Sequence, residues 1–132
     1  MLRCPRLDPA RLLADLEYLG LLFESAAIQD LRICASALRG RVSHYRDSNG
    51  VKTDAVVELP DGTWAAFEIT LGFGATDDAA ASLSRFAATV DSARVGPPAA
   101  LVVITASGIA HTRPDGVHVV PLTCLNTHHE QH

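Results

Sequence analysis

The chain has 132 residues and a formal net charge of −4, with 11 basic and 15 acidic side chains. At this length one domain is expected, spanning residues 1–132, and it can bury a core without disulfides or structural metals. The acidic balance argues against a dedicated nucleic-acid binder, although a local basic patch can act against the overall sign. Hydrophobic residues make up 48% of the chain, which fits a globular fold and argues against intrinsic disorder.

Cysteine usage and the apolar runs bear on the cellular compartment. The three cysteines, Cys4, Cys34 and Cys124, form no Cys-x-x-Cys pair, so neither a disulfide framework nor a zinc knuckle is indicated. The longest apolar stretch, residues 99–106, is far too short to span a bilayer. We therefore expect a cytoplasmic protein with no membrane partner.

The predicted elements begin with helix. Asp8 and Pro9 are typical of a helix start, because aspartate caps well and proline is tolerated at the first helical position. An N-terminal helix is predicted over about residues 9–19, and Gly20 can end it or kink it. A second helical stretch over 21–38 has an inward stripe spaced by threes and fours. The stripe consists of Glu24, Ala27, Ile28, Leu31, Ala35 and Leu38.

The rest of the chain reads as strands and one helix. A strand is predicted over 42–46, a hairpin over 52–59 and 63–71, a helix over 76–90, a buried strand over 100–105, and a last hairpin over 109–113 and 117–122. Both hairpins turn on Pro-Asp-Gly, in which proline presets a type I corner and glycine supplies the left-handed residue. The polar tail, residues 126–132, is expected to fray.

Two carboxylates interrupt the strands of the first hairpin. Asp54 and Glu68 each stand alone in a short apolar run, and burying a carboxylate is expensive without a metal, a partner or a raised pKa. If residues 60–62 form the loop, the register sets Asp54 opposite Glu68, with Cβ atoms roughly 5 Å apart. Carboxylates that close repel each other unless a cation lies between them. The hairpin predicts a divalent-metal site or its remains; the alternative is two half-exposed carboxylates on the solvent face.

A helical Glu24, a strand Asp54 and Glu68 on the next strand, in that order, resemble the PD-(D/E)XK nuclease superfamily. The stretches 19–25, 45–50 and 53–59 are also similar to the uncharacterised domain at the C-terminal end of many prokaryotic AAA-type ATPases, a likeness that covers about residues 12–125. The resemblance implies an α/β, restriction-endonuclease-like fold: a mixed central sheet with an α-β-β-β-α-β core, flanked by helices, plus a small C-terminal hairpin. It also implies Mg²⁺ or Mn²⁺ as the cofactor and DNA as the partner, with Glu24 as an accessory ligand or water holder.

The resemblance assigns further roles residue by residue. It makes Asp54 and Glu68 metal ligands, with the backbone carbonyl of Ile69 as an additional ligand. The lysine of the superfamily motif is Thr70 here, and a threonine cannot supply the missing positive charge. In the counted register Lys52 lies opposite Thr70, two residues from Asp54, so Lys52 is the expected substitute cation. The alternative for Lys52 is a solubility charge on an edge strand.

Two functions from different classes are compatible with these features. The first is a nuclease-like domain that hydrolyses DNA with Mg²⁺ or Mn²⁺, impaired by the loss of the motif lysine. The second is a catalytically silent module that binds an AAA-type ATPase or dimerises. Convergence of Lys52 with the carboxylates favours the first, whereas an exposed apolar patch of several hundred Å² favours the second. The leucines within residues 12–19 are the expected patch.

Overall fold

The structure of the protein is a computed structural model that describes residues 8–72 and 74–125. Its first element, helix α1 (Pro9–Ala37), begins as the sequence predicts, because the carboxylate of Asp8 accepts a hydrogen bond from the N–H of Ala10 at 3.1 Å. Gly20 does not end the helix, so the stretches 9–19 and 21–38 form one element of 29 residues. An interior glycine costs about 1 kcal/mol relative to alanine, which is too little to interrupt a helix flanked by leucines.

The remaining elements build one mixed sheet and its second helical layer. In chain order they are β1 (Arg41–Arg46), β2 (Lys52–Glu58), β3 (Trp64–Ile69), α2 (Thr76–Thr89), α3 (Ser92–Val95), β4 (Ala100–Thr105), β5 (His111–Thr112) and β6 (His118–Pro121). The described strands are ordered β1-β2-β3-β4-β6-β5. Strands β1 to β3 are antiparallel, β4 is parallel to both β3 and β6, and β5 is antiparallel to β6.

This architecture confirms the predicted α/β class and element order. The C-terminal hairpin, however, is not an appendage, because β6 pairs with β4 and extends the central sheet. The short helix α3 was not predicted, whereas helix α2 begins at Thr76, as expected, with Ala75 at its N-cap. None of the described helices combines the length and apolar character needed to cross a membrane.

The two faces of the sheet pack against different helices. Side chains alternate along each strand, so Ala55 and Phe67 face α1 whereas Val56 and Ala66 face α2. The cluster under α1 is built on Ala27, Leu31, Ala55 and Ile104, and the larger one under α2 includes Trp64, Leu83, Phe86, Val103, Val117 and Val119. Small residues on α1 let that helix approach the sheet closely.

The two halves of α1 differ in burial. Ala27, Leu31 and Ala35 are buried, as the predicted stripe requires, whereas Leu38 is exposed because it caps the helix. The first half carries six apolar side chains that are each between 44% and 64% exposed: Leu13, Leu16, Tyr18, Leu19, Leu21 and Leu22. The described residues therefore leave a continuous apolar segment of this helix without a packing partner.

Both Pro-Asp-Gly turns form as predicted. Gly62 and Gly116 adopt φ of 89° and 87°, the left-handed conformation that only glycine takes at no steric cost. The N–H of Leu59 donates to the carbonyl of Thr63 at 2.8 Å, which closes the first loop. The β2–β3 ladder then runs from Glu58↔Trp64 to Ala55↔Phe67, which confirms the counted register over those four pairs.

Candidate functional site

The β2–β3 ladder opens at the position of the two carboxylates. Its last paired residues are Ala55 and Phe67. Beyond them the N–H of Ile69 donates to Oδ2 of Asp54 at 2.9 Å, and the hydroxyl of Thr53 donates to the carbonyl of Phe67 at 3.0 Å. Side-chain hydrogen bonds of Thr53 and Asp54 therefore replace the backbone pairs at this end of the ladder. We call this opening between β2 and β3, beyond Ala55 and Phe67, the fork.

A bulge in β2 aims Asp54 into this fork. In the β1–β2 pairing, Ser43 lies opposite Val56 and Tyr45 lies opposite Thr53, so β2 advances three residues while β1 advances two. The extra residue falls at Asp54 and Ala55. A β-bulge interrupts side-chain alternation and redirects a side chain. This is why Asp54 can reach the backbone of β3 instead of standing on one face of the sheet.

Asp54 and Glu68 come into contact, as the sequence predicts. Glu68 is 5% exposed, and its pKa is raised to about 8, first by burial, then by its hydrogen bond with Asp54, and then by the negative charge of Asp54. The raised pKa favours the protonated form of Glu68, which lessens the repulsion that a divalent cation would otherwise balance between the two carboxyl groups.

Ser82 on α2 completes the surroundings of Glu68. Its hydroxyl lies 3.2 Å from Oε1 of Glu68 and 3.3 Å from the carbonyl oxygen of Lys52. The contact opposes the rise of the Glu68 pKa and holds the carboxyl group against α2. Sequence reasoning missed Ser82, because a serine in an alanine-rich helix carries no signal until the packing of α2 on β3 is known.

Glu24 approaches the fork from the opposite side, on α1. It is half-buried, and its pKa is raised first by burial and second by the charge of Asp54, while Lys52 acts in the opposite direction. Glu24 lines two cavities, one of about 420 Å³ shared with Asp54 and one of about 610 Å³ shared with Ile69 and Thr70. The structure therefore places Glu24 within electrostatic reach of the strand carboxylates.

Lys52 borders the site from β2. It lies opposite Arg46 on β1, and it lines the smaller cavity with Glu24 and Asp54. Its positive charge lowers the pKa of both Glu24 and Glu68. Thr70 is engaged elsewhere, because its hydroxyl accepts a hydrogen bond from the N–H of Gly72 at 3.4 Å. Lys52 is therefore the cation next to the acidic residues.

The donor set suits a cation that keeps much of its hydration shell. Among the described residues no group of three or more histidine, cysteine, aspartate or glutamate side chains is placed to hold a metal ion. Mg²⁺ is commonly bound through one or two carboxylates while it keeps several waters. Asp54 and Glu68 fit that requirement, and the carbonyl of Ile69 at the end of β3 is the predicted third donor. The histidines of the tail lie outside the described residues.

The smaller cavity contains residues that sequence reasoning did not assign to a site. His44, Tyr45 and Arg46 from β1 line it together with Ile28 and Thr53. The ring of Tyr45 also packs on Phe86, at 5.1 Å between centroids. In the sequence these β1 side chains cannot be distinguished from ordinary surface residues. The order of the strands in the sheet is what places them beside the fork.

Comparison with known proteins assigns the chain to a family without an assigned activity. The chain matches none of the curated proteins and none of the solved structures with which it was compared. Residues 19–125, which include Glu24, the fork and the whole sheet, match the family described as Domain of unknown function (DUF4143). The match covers most of the chain, so this protein belongs to the DUF4143 family.

Proposed function

We propose that this domain is a PD-(D/E)XK nuclease-like phosphodiesterase with a restriction-endonuclease-like fold, acting on DNA with Mg²⁺ or Mn²⁺. The observation that carries the proposal is the contact between Asp54 and buried Glu68 at the point where β2 and β3 separate. A buried carboxylate pair is unfavourable for stability, and such pairs concentrate at functional sites. The α-β-β-β-α-β element order supports the same assignment.

In this proposal each residue has a separate task. Asp54 and Glu68 hold the cation, which when bound acts as a Lewis acid and lowers the pKa of an attacking water. Asp54 is fixed by the N–H of Ile69, and Glu68 by Ser82. Glu24 orients a water at the edge of the cavity, and the ammonium group of Lys52 balances negative charge on the phosphate.

Hydrolysis adds water across one phosphodiester bond. The water oxygen bonds to phosphorus, the opposite phosphorus–oxygen ester bond breaks, and the departing oxygen takes up a proton. Because Thr70 replaces the motif lysine, Lys52 has to act from the β1 side of the fork. We therefore expect slower cleavage than at a site with the lysine on β3.

A cleavage assay with matched carboxylate variants tests this function. Supercoiled and single-stranded DNA are incubated with Mn²⁺ or Mg²⁺ and the wild-type domain, Asp54→Asn, or Asp61→Asn. Asp61 lies in the exposed turn of the same hairpin, where it accepts a hydrogen bond from the N–H of Thr63. We expect cleavage by the wild type and by Asp61→Asn but none by Asp54→Asn. Equal cleavage by all three, or none by the folded wild type, would reject the nuclease proposal.

The exposed half of α1 supports a second function, self-association. Six apolar side chains that are 44–64% exposed exceed the scattered single residues that are normal on a monomer. Arg11 lies one to two turns before Asp15 and Glu17. In an antiparallel pair of α1 helices, Arg11 of each copy would therefore lie near acidic side chains of the other. This charge complementarity favours a second copy over the alternative of an AAA-type ATPase.

Molar mass in solution tests self-association. Sedimentation or light scattering should give a dimer for the wild type and a monomer for Leu16→Glu. The control Ile109→Glu, which changes an even more exposed apolar residue elsewhere, should remain a dimer. A monomeric wild type at tens of micromolar would reject the dimer and leave the α1 surface for a different protein.

A further inference from the structure

Two cations face each other across the edge of the sheet. Arg46 on β1 and Lys52 on β2 are Cα partners in the ladder, and both side chains are exposed. Like charges directly opposite one another destabilise a strand pair. Since β1 is one of the two edge strands of the described sheet, such charges can also serve to block edge-to-edge aggregation. The residues around Arg46 and Lys52 indicate whether the two charges block aggregation or bind a ligand.

Within the described part of the chain, no salt bridge engages either cation. The ion pairs of the described residues involve Arg41 and Arg113, and none involves Arg46 or Lys52. The acidic residue that follows Arg46, Asp47, is occupied by its own turn. Its carboxylate accepts hydrogen bonds from the N–H groups of Asn49 and Val51 at 2.9 and 3.0 Å, and from the hydroxyl of Tyr45 at 3.3 Å. Asp47 therefore closes the turn.

The cation pair also borders a cavity that leads to the carboxylates. Arg46, Lys52 and His44 line a space of about 420 Å³ together with Asp54 and Glu24. An aggregation-blocking charge needs only to point into solvent, whereas these side chains surround a concave site. A guanidinium group and an ammonium group side by side suit the oxygens of a phosphate diester.

We propose that Arg46 and Lys52 bind a backbone phosphate of a DNA strand at the mouth of this cavity. The inference deepens the proposed function, because it places the strand along the exposed β1 edge with its next phosphate toward Asp54. Binding needs no metal and can therefore be measured apart from cleavage.

The test is fluorescence anisotropy with labelled single-stranded and duplex DNA in EDTA, at several salt concentrations. Arg46→Gln and Lys52→Gln should each weaken binding roughly three- to tenfold. Each should also lower the slope of log K against log salt by about one. The matched control is Arg85→Gln, which removes the same charge from the exposed surface of α2 and should leave affinity unchanged.

Each other result has a defined meaning. If Arg85→Gln weakens binding as much as Arg46→Gln, the attraction is nonspecific and the site is rejected. If the wild type binds neither DNA form, or if inorganic phosphate binds where DNA does not, the strand-binding proposal is also rejected. Binding that depends on Arg46 and Lys52 without any metal-dependent cleavage would support this inference while rejecting the nuclease function.

Discussion

The two ends of the β2–β3 hairpin are built on opposite principles. At the turn end, backbone groups pair with backbone groups, Gly62 takes the left-handed conformation, and Trp64 is buried against Phe86. At the open end, β2 bulges in its pairing with β1, and the carboxylate of Asp54 takes the place of a backbone acceptor on β3 beside the buried Glu68. One end stabilises the fold, whereas the other accepts unfavourable electrostatics, as functional sites commonly do.

The largest loss of stability is expected at the turn end. Trp64 is 6% exposed, and its Nε1–H donates to the carbonyl of Gly96 at 3.1 Å. Trp64→Ala should lower the free energy of unfolding by about 3–5 kcal/mol. Urea unfolding should be followed by circular dichroism, because Trp64 is the only tryptophan and its replacement removes the tryptophan fluorescence signal. If Trp64→Ala cost less than Trp64→Phe, or less than about 1 kcal/mol, the turn end would not carry the stability assigned to it.

At the open end, removing a charge should stabilise the protein. Because folding raises the pKa of Glu68 from 4.5 to about 8, the folded state binds more protons than the unfolded state between these values. The contribution of Glu68 to the free energy of unfolding is therefore fully present below pH 4.5 and is lost as the pH rises through 8. Because glutamine stays neutral, the Glu68→Gln variant does not lose this stability as the pH rises. At pH 8 it should be more stable than the wild type by roughly 1–3 kcal/mol.

Unfolding midpoints in urea at pH 4.5, 6 and 8 would measure this difference. The advantage of Glu68→Gln should grow with pH, and Glu58→Gln, at the exposed turn end of the same hairpin, should change stability by less than about 0.5 kcal/mol at each pH. A Glu68→Gln variant that is equally or less stable than wild type at pH 8 would contradict the burial argument.

The contrast between the two ends also explains which features the sequence could predict. The Pro-Asp-Gly turn is local, so counting back from it placed Asp54 opposite Glu68. The bulge depends on how β1 pairs with β2, and no local signal marks it. It lies between Thr53 and Val56, next to Asp54, and beyond it Lys52 pairs with Arg46 on β1. Long-range packing therefore limited the prediction at the fork.

The same limit applies to the residues around the fork. Ser82 and Arg46 reach the site only through the packing of α2 and the position of β1 at the sheet edge. Glu24 could be identified because it is a charge on an apolar helical stripe. The continuity of α1 through Gly20 could not be identified, because the cost of one glycine is small beside the tertiary packing of the following residues.

The smallest effect is expected from a comparison of two hydrogen bonds of the same type at the two ends of the β2–β3 hairpin. Asp54 and Asp61 each accept a backbone N–H at 2.9 Å, from Ile69 and Thr63, but Asp54 is half-buried whereas Asp61 is exposed. Asparagine keeps an acceptor without the charge, so the alanine-minus-asparagine difference in unfolding free energy isolates the loss of that acceptor. It should be about 1–2 kcal/mol at Asp54, where water cannot replace the carboxylate, and under about 0.5 kcal/mol at Asp61. Equal differences at the two positions would show that water enters the fork freely, and Asp54 would then be held no more rigidly than a side chain in a turn.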